Sequence, residues 1–206
     1  MAAGSTVNKI VQMPTDTKDR ILEAARYLFW ERGYAATGLN DILRRAKVLS
    51  GSFYHFFRGK EDLLNAVLDM YVGALHPVII EPASRAGNDG IARVFAVLEG
   101  YRRSLVATEF TYGCPIGRLA LEIDPRNEAS MTLIAKNFAG WANAVEALFR
   151  EDADRFPPET DFGQLAQFVL TVMEGGVMQA RAHRSIAPFD ASVQQLRAYV
   201  DLLTAR

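Results

Sequence analysis

The chain has a single cysteine in 206 residues, Cys114, so no intrachain disulfide is possible. A packed core must hold the fold, and the composition fits a reducing compartment. Histidine is scarce. His55, His76 and His183 are scattered, with no metal-ligand spacing, and no phosphate-binding loop or dinucleotide fingerprint occurs. The sequence therefore predicts no catalytic residue, no metal and no cofactor. No stretch approaches the ~18 consecutive apolar residues of a membrane helix, and no charged segment leads into an apolar run at the N-terminus. The expectation is a cytoplasmic protein with no membrane span. Charge of one sign is lacking overall, with a formal balance of −1.

What is present is an apolar half, 50% of residues, and an uneven distribution of charge. Residues 1–60 hold ten Lys and Arg against five acids, a balance of +5, while the remainder stands at −6. A basic first third on an acidic body suits a protein whose first segment meets a polyanion, although a solvated face can cluster charge as well.

The periodicity is helical throughout, and no segment sustains a strand period, so the fold class is all-α. Residues 1–14 form an expected tail. Asp16 or Thr17 opens a first helix, in which Ile21, Leu22, Ala25, Leu28 and Phe29 share a face and which Gly33 stops. Thr37 is the expected N-cap of a short second helix over 38–46. Lys47, Val48 and Leu49 form a tight connection, and Ser50 is the expected cap of a third helix over 50–56. Lys60 opens a fourth, which Pro77 and Pro82 are expected to end. Helices over about 90–107, from Pro115, over about 126–152 and 161–183, and after Pro188 bring the total to about nine. The organisation read from this is a smaller helical domain over 15–60 and a larger helical domain over 61–206. The fourth helix bridges the two.

Two short helices joined by a tight turn after a longer packing helix form the helix-turn-helix arrangement. Its second helix must present small or polar side chains to base edges. Ser50, Gly51 and Ser52 supply two hydroxyls and a position where the backbone can come close to a duplex. Tyr54 and His55, one turn on, suit phosphate oxygens. Lys60 stands at a helix start, where amides and dipole also favour a phosphate.

Thr37-Gly38-Leu39-Asn40-Asp41-Ile42, Ala46-Lys47-Val48, Ser50-Gly51-Ser52-Phe53-Tyr54-His55-Phe56-Phe57 and Lys60-Glu61-Asp62-Leu63 together resemble the signature of the TetR family of repressors. Ile21 to Ala25 and Leu28-Phe29 to Gly33-Tyr34 match its first helix. The resemblance implies a homodimer that binds a double-stranded, pseudo-palindromic DNA operator and lets go when a small-molecule effector enters the C-terminal domain. It would place Ser50 and Ser52 in the major groove, and Thr37, Tyr54, Lys60 and the less firmly matched His55 on phosphates. Lys47 departs from the pattern, which has Gly there. A left-handed Lys costs about 1–2 kcal/mol, which positive charge near DNA can offset. Leu49 departs too, standing where a small polar residue is common.

Gly113-Cys114-Pro115 with Leu119-Ala120-Leu121-Glu122 is similar to a subgroup of the family that contains electrophile-responsive and flavonoid-responsive repressors. Pro115 at a first helical position makes Cys114 the N-cap, facing the amides of Ile116 and Gly117 with Arg118 one turn on. Those groups favour a thiolate and predict a lowered thiol pKa. A buried structural or pocket-lining cysteine is the other reading. Phe110, Tyr112, Phe138 and Trp141 are candidate pocket residues for a flat aromatic effector, and equally candidate core. Gly175 and Gly176, with Val193, Leu196, Val200 and Leu203, are the expected dimer interface, or else close the protomer's own core. The rival functions are an enzyme built on contacts the sequence does not reveal and a DNA-binding protein without a ligand.

Overall fold

The computed structural model describes residues 16–205; the expected tail over 1–14 lies outside them. Among the described residues the chain is helical with no strand. It divides into two compact units at Val67/Leu68, within the fourth helix rather than near residue 60.

The first unit contains α1 (Thr17–Arg32), α2 (Leu39–Ala46), α3 (Ser50–Phe56) and the beginning of α4 (Lys60–Leu75). Ile21, Ala24, Ala25, Leu28 and Phe29 form the buried stripe of α1. They are buried along with Ile42, Leu43 and Ala46 of α2, Phe53 of α3, Phe57, and Leu63, Leu64 and Val67 of α4. Gly33 ends α1 with φ 89, a conformation that glycine adopts without steric cost.

Two caps differ from expectation. Gly38, not Thr37, is the N-cap of α2. The Thr37 side chain turns back instead, its hydroxyl donating to the Gly33 carbonyl at 2.6 Å and the Leu28 carbonyl at 3.2 Å. Leu49, not Ser50, is the N-cap of α3, with Ser50 inside the helix.

Pro77 and Pro82 do not end the helical path. After Leu75 it continues through a π turn, His76–Ile80, into α5 (Glu81–Ser84). Each proline falls within the first two positions of its segment and lacks the N–H that would bond back into the preceding turn. The helical stretch Lys60–Ala83 is by length and composition apolar enough to cross a membrane, with mean hydropathy 1.6 in its most apolar window. Polar residues such as Asp69 and His76 interrupt the run, so a count of consecutive apolar residues misses it.

The second unit holds α6 (Gly90–Ala107), α7 (Pro115–Glu122), α8 (Glu128–Arg150), α9 (Phe162–His183) and α10 (Ala187–Thr204). Carboxylate or amide side chains cap three of these starts. Asp89, Asn127 and Asp161 accept from the amides of Ala92, Ser130 and Gln164. The core is drawn from Val94, Phe95 and Leu98 of α6, Trp141, Val145 and Phe149 of α8, and Leu165, Val169, Met173, Val177 and Ala180 of α9. Phe189, Leu196 and Val200 of α10 complete it. Arg102 of α6 clasps Asp190 of α10 through two bonds of 2.8 and 3.0 Å. The buried Asn137 amide donates to the carbonyls of Leu68 and Leu133 at 3.0 and 2.9 Å.

This packing corrects the expected dimer interface. Leu196 and Val200 are 1% and 0% exposed within a single chain, and Gly176 faces Phe189. A Cβ on Gly176 would stand 2.9 Å from the Phe189 ring, so this glycine serves close approach of α9 and α10 within the protomer. Val193 and Leu203 are partly buried against the same core. Gly175 alone of that set has open space around it.

Candidate functional site

In the first unit the candidate reading surface consists of the turn and α3. Lys47 is exposed and left-handed, φ 55 and ψ 49, as the sequence predicted for a lysine in a glycine's place. Its amide closes the end of α2 on Arg44 and Leu43. Ser50, Gly51 and Ser52 are all exposed, and nothing lies within 4 Å of a Cβ on Gly51, so another backbone can approach there. Buried Phe53 anchors the helix from behind. The Tyr54 ring stands edge-on to Phe53 at 5.2 Å while remaining 61% exposed. His55 is exposed and packs edge-on against Phe56 at 4.9 Å.

Two expected phosphate contacts have other work in this structure. Thr37 is 1% exposed and its hydroxyl is spent on the carbonyls at the end of α1, which makes it a support for the unit and not a ligand group. Lys60 is half-buried. Its ammonium donates to the Tyr34 carbonyl at 2.6 Å and lies 4.1 Å from the centre of the Tyr34 ring. The lysine thereby ties the start of α4 to the loop after α1.

In the second unit the Gly-Cys-Pro block is built against α9. Cys114 caps α7, its sulfur accepting from the Gly117 amide at 3.5 Å. A Cβ on Gly117 would fall 2.2 Å from the Glu174 carboxylate, and one on Gly113 2.7 Å from the Arg181 side chain. Glu174 and Arg181 lie two turns apart on one face of α9, and the small residues of the block let α7 dock on that face. Arg181 also donates to the Thr111 carbonyl at 3.3 Å.

Burial, with Glu174 beside it, reverses the expectation for Cys114. Burial, then the Glu174 charge and its hydrogen bond to the sulfur, push the thiol well above its usual range. The Gly117 and Ile116 amides pull the other way and do not prevail. Arg118, counted on to favour a thiolate, pairs with Glu122 at 3.0 Å. Glu174 itself is pushed up by burial, partly offset by Cys114. Its position so far along the chain hid it from the sequence reading.

Around this pair stand Tyr101 of α6 and Trp141 of α8. Burial, then the Cys114 and Glu174 charges, push the Tyr101 phenol well up, so the hydroxyl stays neutral. It faces the Trp141 indole, but the Trp141 Nε1–H makes no hydrogen bond of good geometry, and neither does Glu174 Oε1; both are buried. Trp141 is 4% exposed, and Phe138, Phe110 and Tyr101 pack partly buried against the same core. Tyr112 is half-buried beside the block. Phe110 and Glu109 have φ of 61 and 49, two successive left-handed non-glycine residues leading into the block. Among the described residues no cluster of His, Cys, Asp and Glu could hold a metal ion.

The outer faces of α9 and α10 carry exposed large apolar side chains. Phe168 and Met178 are 44% and 58% exposed, and Tyr199 and Leu202 are 46% and 78% exposed. Phe168 and Tyr199 meet edge-on at 5.9 Å, which makes the two helices one face.

A three-helix unit with an exposed short helix, joined to a second helical unit with its own core, defines the class of helix-turn-helix transcriptional regulators. Residues 21–67 match the model for bacterial regulatory proteins of the tetR family, and residues 91–195 that for the LmrA/YxaF-like transcriptional regulator C-terminal domain. The chain belongs to the TetR family, with a C-terminal domain of the LmrA/YxaF type. It is 31% identical over 186 residues to an HTH-type transcriptional regulator of Mycobacterium tuberculosis strain H37Rv, covering 87% of this chain and 92% of that one. It is 30% identical over 188 residues to YxaF of Bacillus subtilis strain 168, covering 90% and 95%. Among solved structures, the reduced form of Escherichia coli NemR superposes with a TM-score of 0.77 at 24% identity, covering 89% and 96%. A cysteine mutant of CifR complexed with 26bp operator DNA gives 0.74 at 23%, covering 87% and 95%.

Proposed function

We propose that the chain is a repressor that binds a pseudo-palindromic operator as a homodimer and is released by a small aromatic effector bound in its second unit. The observation that carries the DNA part is the exposed, polar surface of Ser50, Gly51 and Ser52 on a helix anchored from behind by Phe53. Lys47 and Tyr54 flank it, and the operator complex of CifR supports the same use of a shared fold. The dimer reading rests on the Phe168, Met178, Tyr199 and Leu202 face, which replaces the interior residues first expected there.

The effector reading rests on Glu174 Oε1 and Trp141 Nε1, a buried acceptor and a buried donor that make no hydrogen bond of good geometry. A hydroxyl on an aromatic ring has the chemistry for both, because it can donate to a carboxylate and accept from an indole N–H. The raised Cys114 thiol disfavours an electrophile sensor, so Cys114 is assigned to the wall of this site. The test is an electrophoretic shift with DNA flanking the protein's own gene, repeated with 2-naphthol and with naphthalene. Release by the naphthol alone, lost in Glu174→Leu, is expected. Equal release by both compounds refutes the hydroxyl assignment, and no shift at all refutes the regulator.

A further inference from the structure

Two neighbouring residues break local rules in the turn before α3. Lys47 adopts a conformation that favours glycine. Leu49 occupies the N-cap of α3 in extended backbone, φ −77 and ψ 151, and α3 has no side-chain cap. Ser, Thr, Asp and Asn are favoured at that position because their oxygens satisfy a free amide of the first turn, and leucine is among the least favoured. Nor does the core reward the leucine. Leu49 is 82% exposed, the most exposed of the large apolar side chains among the described residues. A protein that forgoes a cap and holds an apolar side chain in water at the same place commonly has a use for that surface.

The surroundings define the use. Ser50, Gly51 and Ser52 follow directly and are exposed, and the space around Gly51 is open. Leu49 is thus an apolar group at the head of a polar reading surface. The major groove presents one apolar feature of its own, the C5-methyl group of thymine. We infer that Leu49 is a specificity-determining residue that packs on the C5-methyl of a thymine in each operator half-site. The inference rests on the reading that α3 enters the major groove. It adds a base that the serine hydroxyls do not read.

The test uses the full chain and a duplex selected by it from a random pool. Each thymine of the duplex is replaced in turn by uracil, which removes the methyl and keeps the pairing. One thymine per half-site is expected to weaken binding about fourfold when replaced, the worth of one buried methylene-sized group, and about fifteenfold when both half-sites are replaced. Leu49→Ser restores a capping oxygen, so the unit should melt at higher urea while the uracil penalty vanishes. Leu49→Met should keep much of it. A uracil penalty that persists unchanged in Leu49→Ser overturns the inference, as does the absence of any uracil-sensitive position in the parent. Failure to enrich any duplex overturns the DNA-binding reading beneath it, a separate outcome.

Discussion

Replacing Lys47 by glycine separates what this residue costs the fold from what it gives to binding. Its φ of 55 and ψ of 49 lie in the left-handed region, which costs an L-residue about 1–2 kcal/mol. Glycine removes that strain but gives up more backbone freedom on folding, a loss of roughly 0.5–1 kcal/mol. The net is a first unit more stable by roughly 0.5–1 kcal/mol. In urea, with a slope of about 1–3 kcal/mol per molar, the midpoint should rise by a few tenths of a molar. On DNA the sign reverses. Each protomer gives up one exposed cation, so a two-fold dimer gives up two phosphate contacts, and the slope of log K against log salt should become shallower by about 1.8. Urea melts of the free protein and fluorescence anisotropy with an operator duplex between 50 and 200 mM salt read the two effects separately. A Lys47→Gly protein that is less stable than its parent would show that the fold itself holds the left-handed lysine. An unchanged salt slope would remove Lys47 from the DNA surface.

Thr37→Val keeps the side-chain shape but leaves the Gly33 carbonyl without its 2.6 Å donor, so the first unit should lose about 1–3 kcal/mol in a urea melt while the salt slope of DNA binding stays put; an altered slope would return Thr37 to the phosphates. Leu196→Glu should unfold the second unit, because Leu196 is 1% exposed, whereas Leu202→Glu, at a position 78% exposed, should leave helicity intact and yield monomers in sedimentation. An intact dimer of the Leu202 variant would refute the outer-face seam. Glu174→Gln removes the charge that holds the Cys114 thiol up, so alkylation by N-ethylmaleimide should accelerate and its pH profile move down; an identical profile would show that burial alone controls the thiol. Because burial raises the folded-state pKa of Glu174, the unfolded chain releases that proton first, and stability contributed by the protonated form falls as pH rises from about 4.3 through the raised value. The Gln variant should flatten that fall, measured by denaturant melts between pH 4 and neutrality.

Much of the fold is legible in the sequence because its signals are local. Gly33, the stripe of α1, Asp89 before α6 and Pro115 after Cys114 each act within a turn or two of chain. The errors share a different origin. Thr37 can cap forwards or bond backwards, and only the path of the 33–38 loop decides for the carbonyls of α1. The period of Val193, Leu196, Val200 and Leu203 shows that α10 has an apolar face but not what covers it. The cover is this chain's own core. The sequence neighbours of Cys114 all favour a thiolate, while the burial that decides against it, with Glu174 of α9, comes from the packing of distant helices. Pro77 reads as a terminator because a proline cannot donate within an α-helical ladder, yet the helical path continues past it through a π turn. The exposure of Ser50, Gly51 and Ser52 on α3 is legible as well, since it follows from one buried anchor, Phe53.

The seating of Phe189 against Gly176 has a consequence for how related sequences can drift. A ring atom lies 2.9 Å from where a Cβ at 176 would stand, and the Phe189 backbone 3.4 Å from it, so neither residue can change size alone. An alanine or serine at 176 requires a smaller residue at 189 or a shift of α10 away from α9. Across divergent relatives the two positions should therefore co-vary as a pair, glycine with a large ring and a larger residue with a lesser one. Next door, Gly175 has nothing within 4 Å and is under no such constraint from its own protomer. A side chain at 175 meets open space in the protomer while one at 176 meets Phe189, so the two adjacent glycines should tolerate substitution differently.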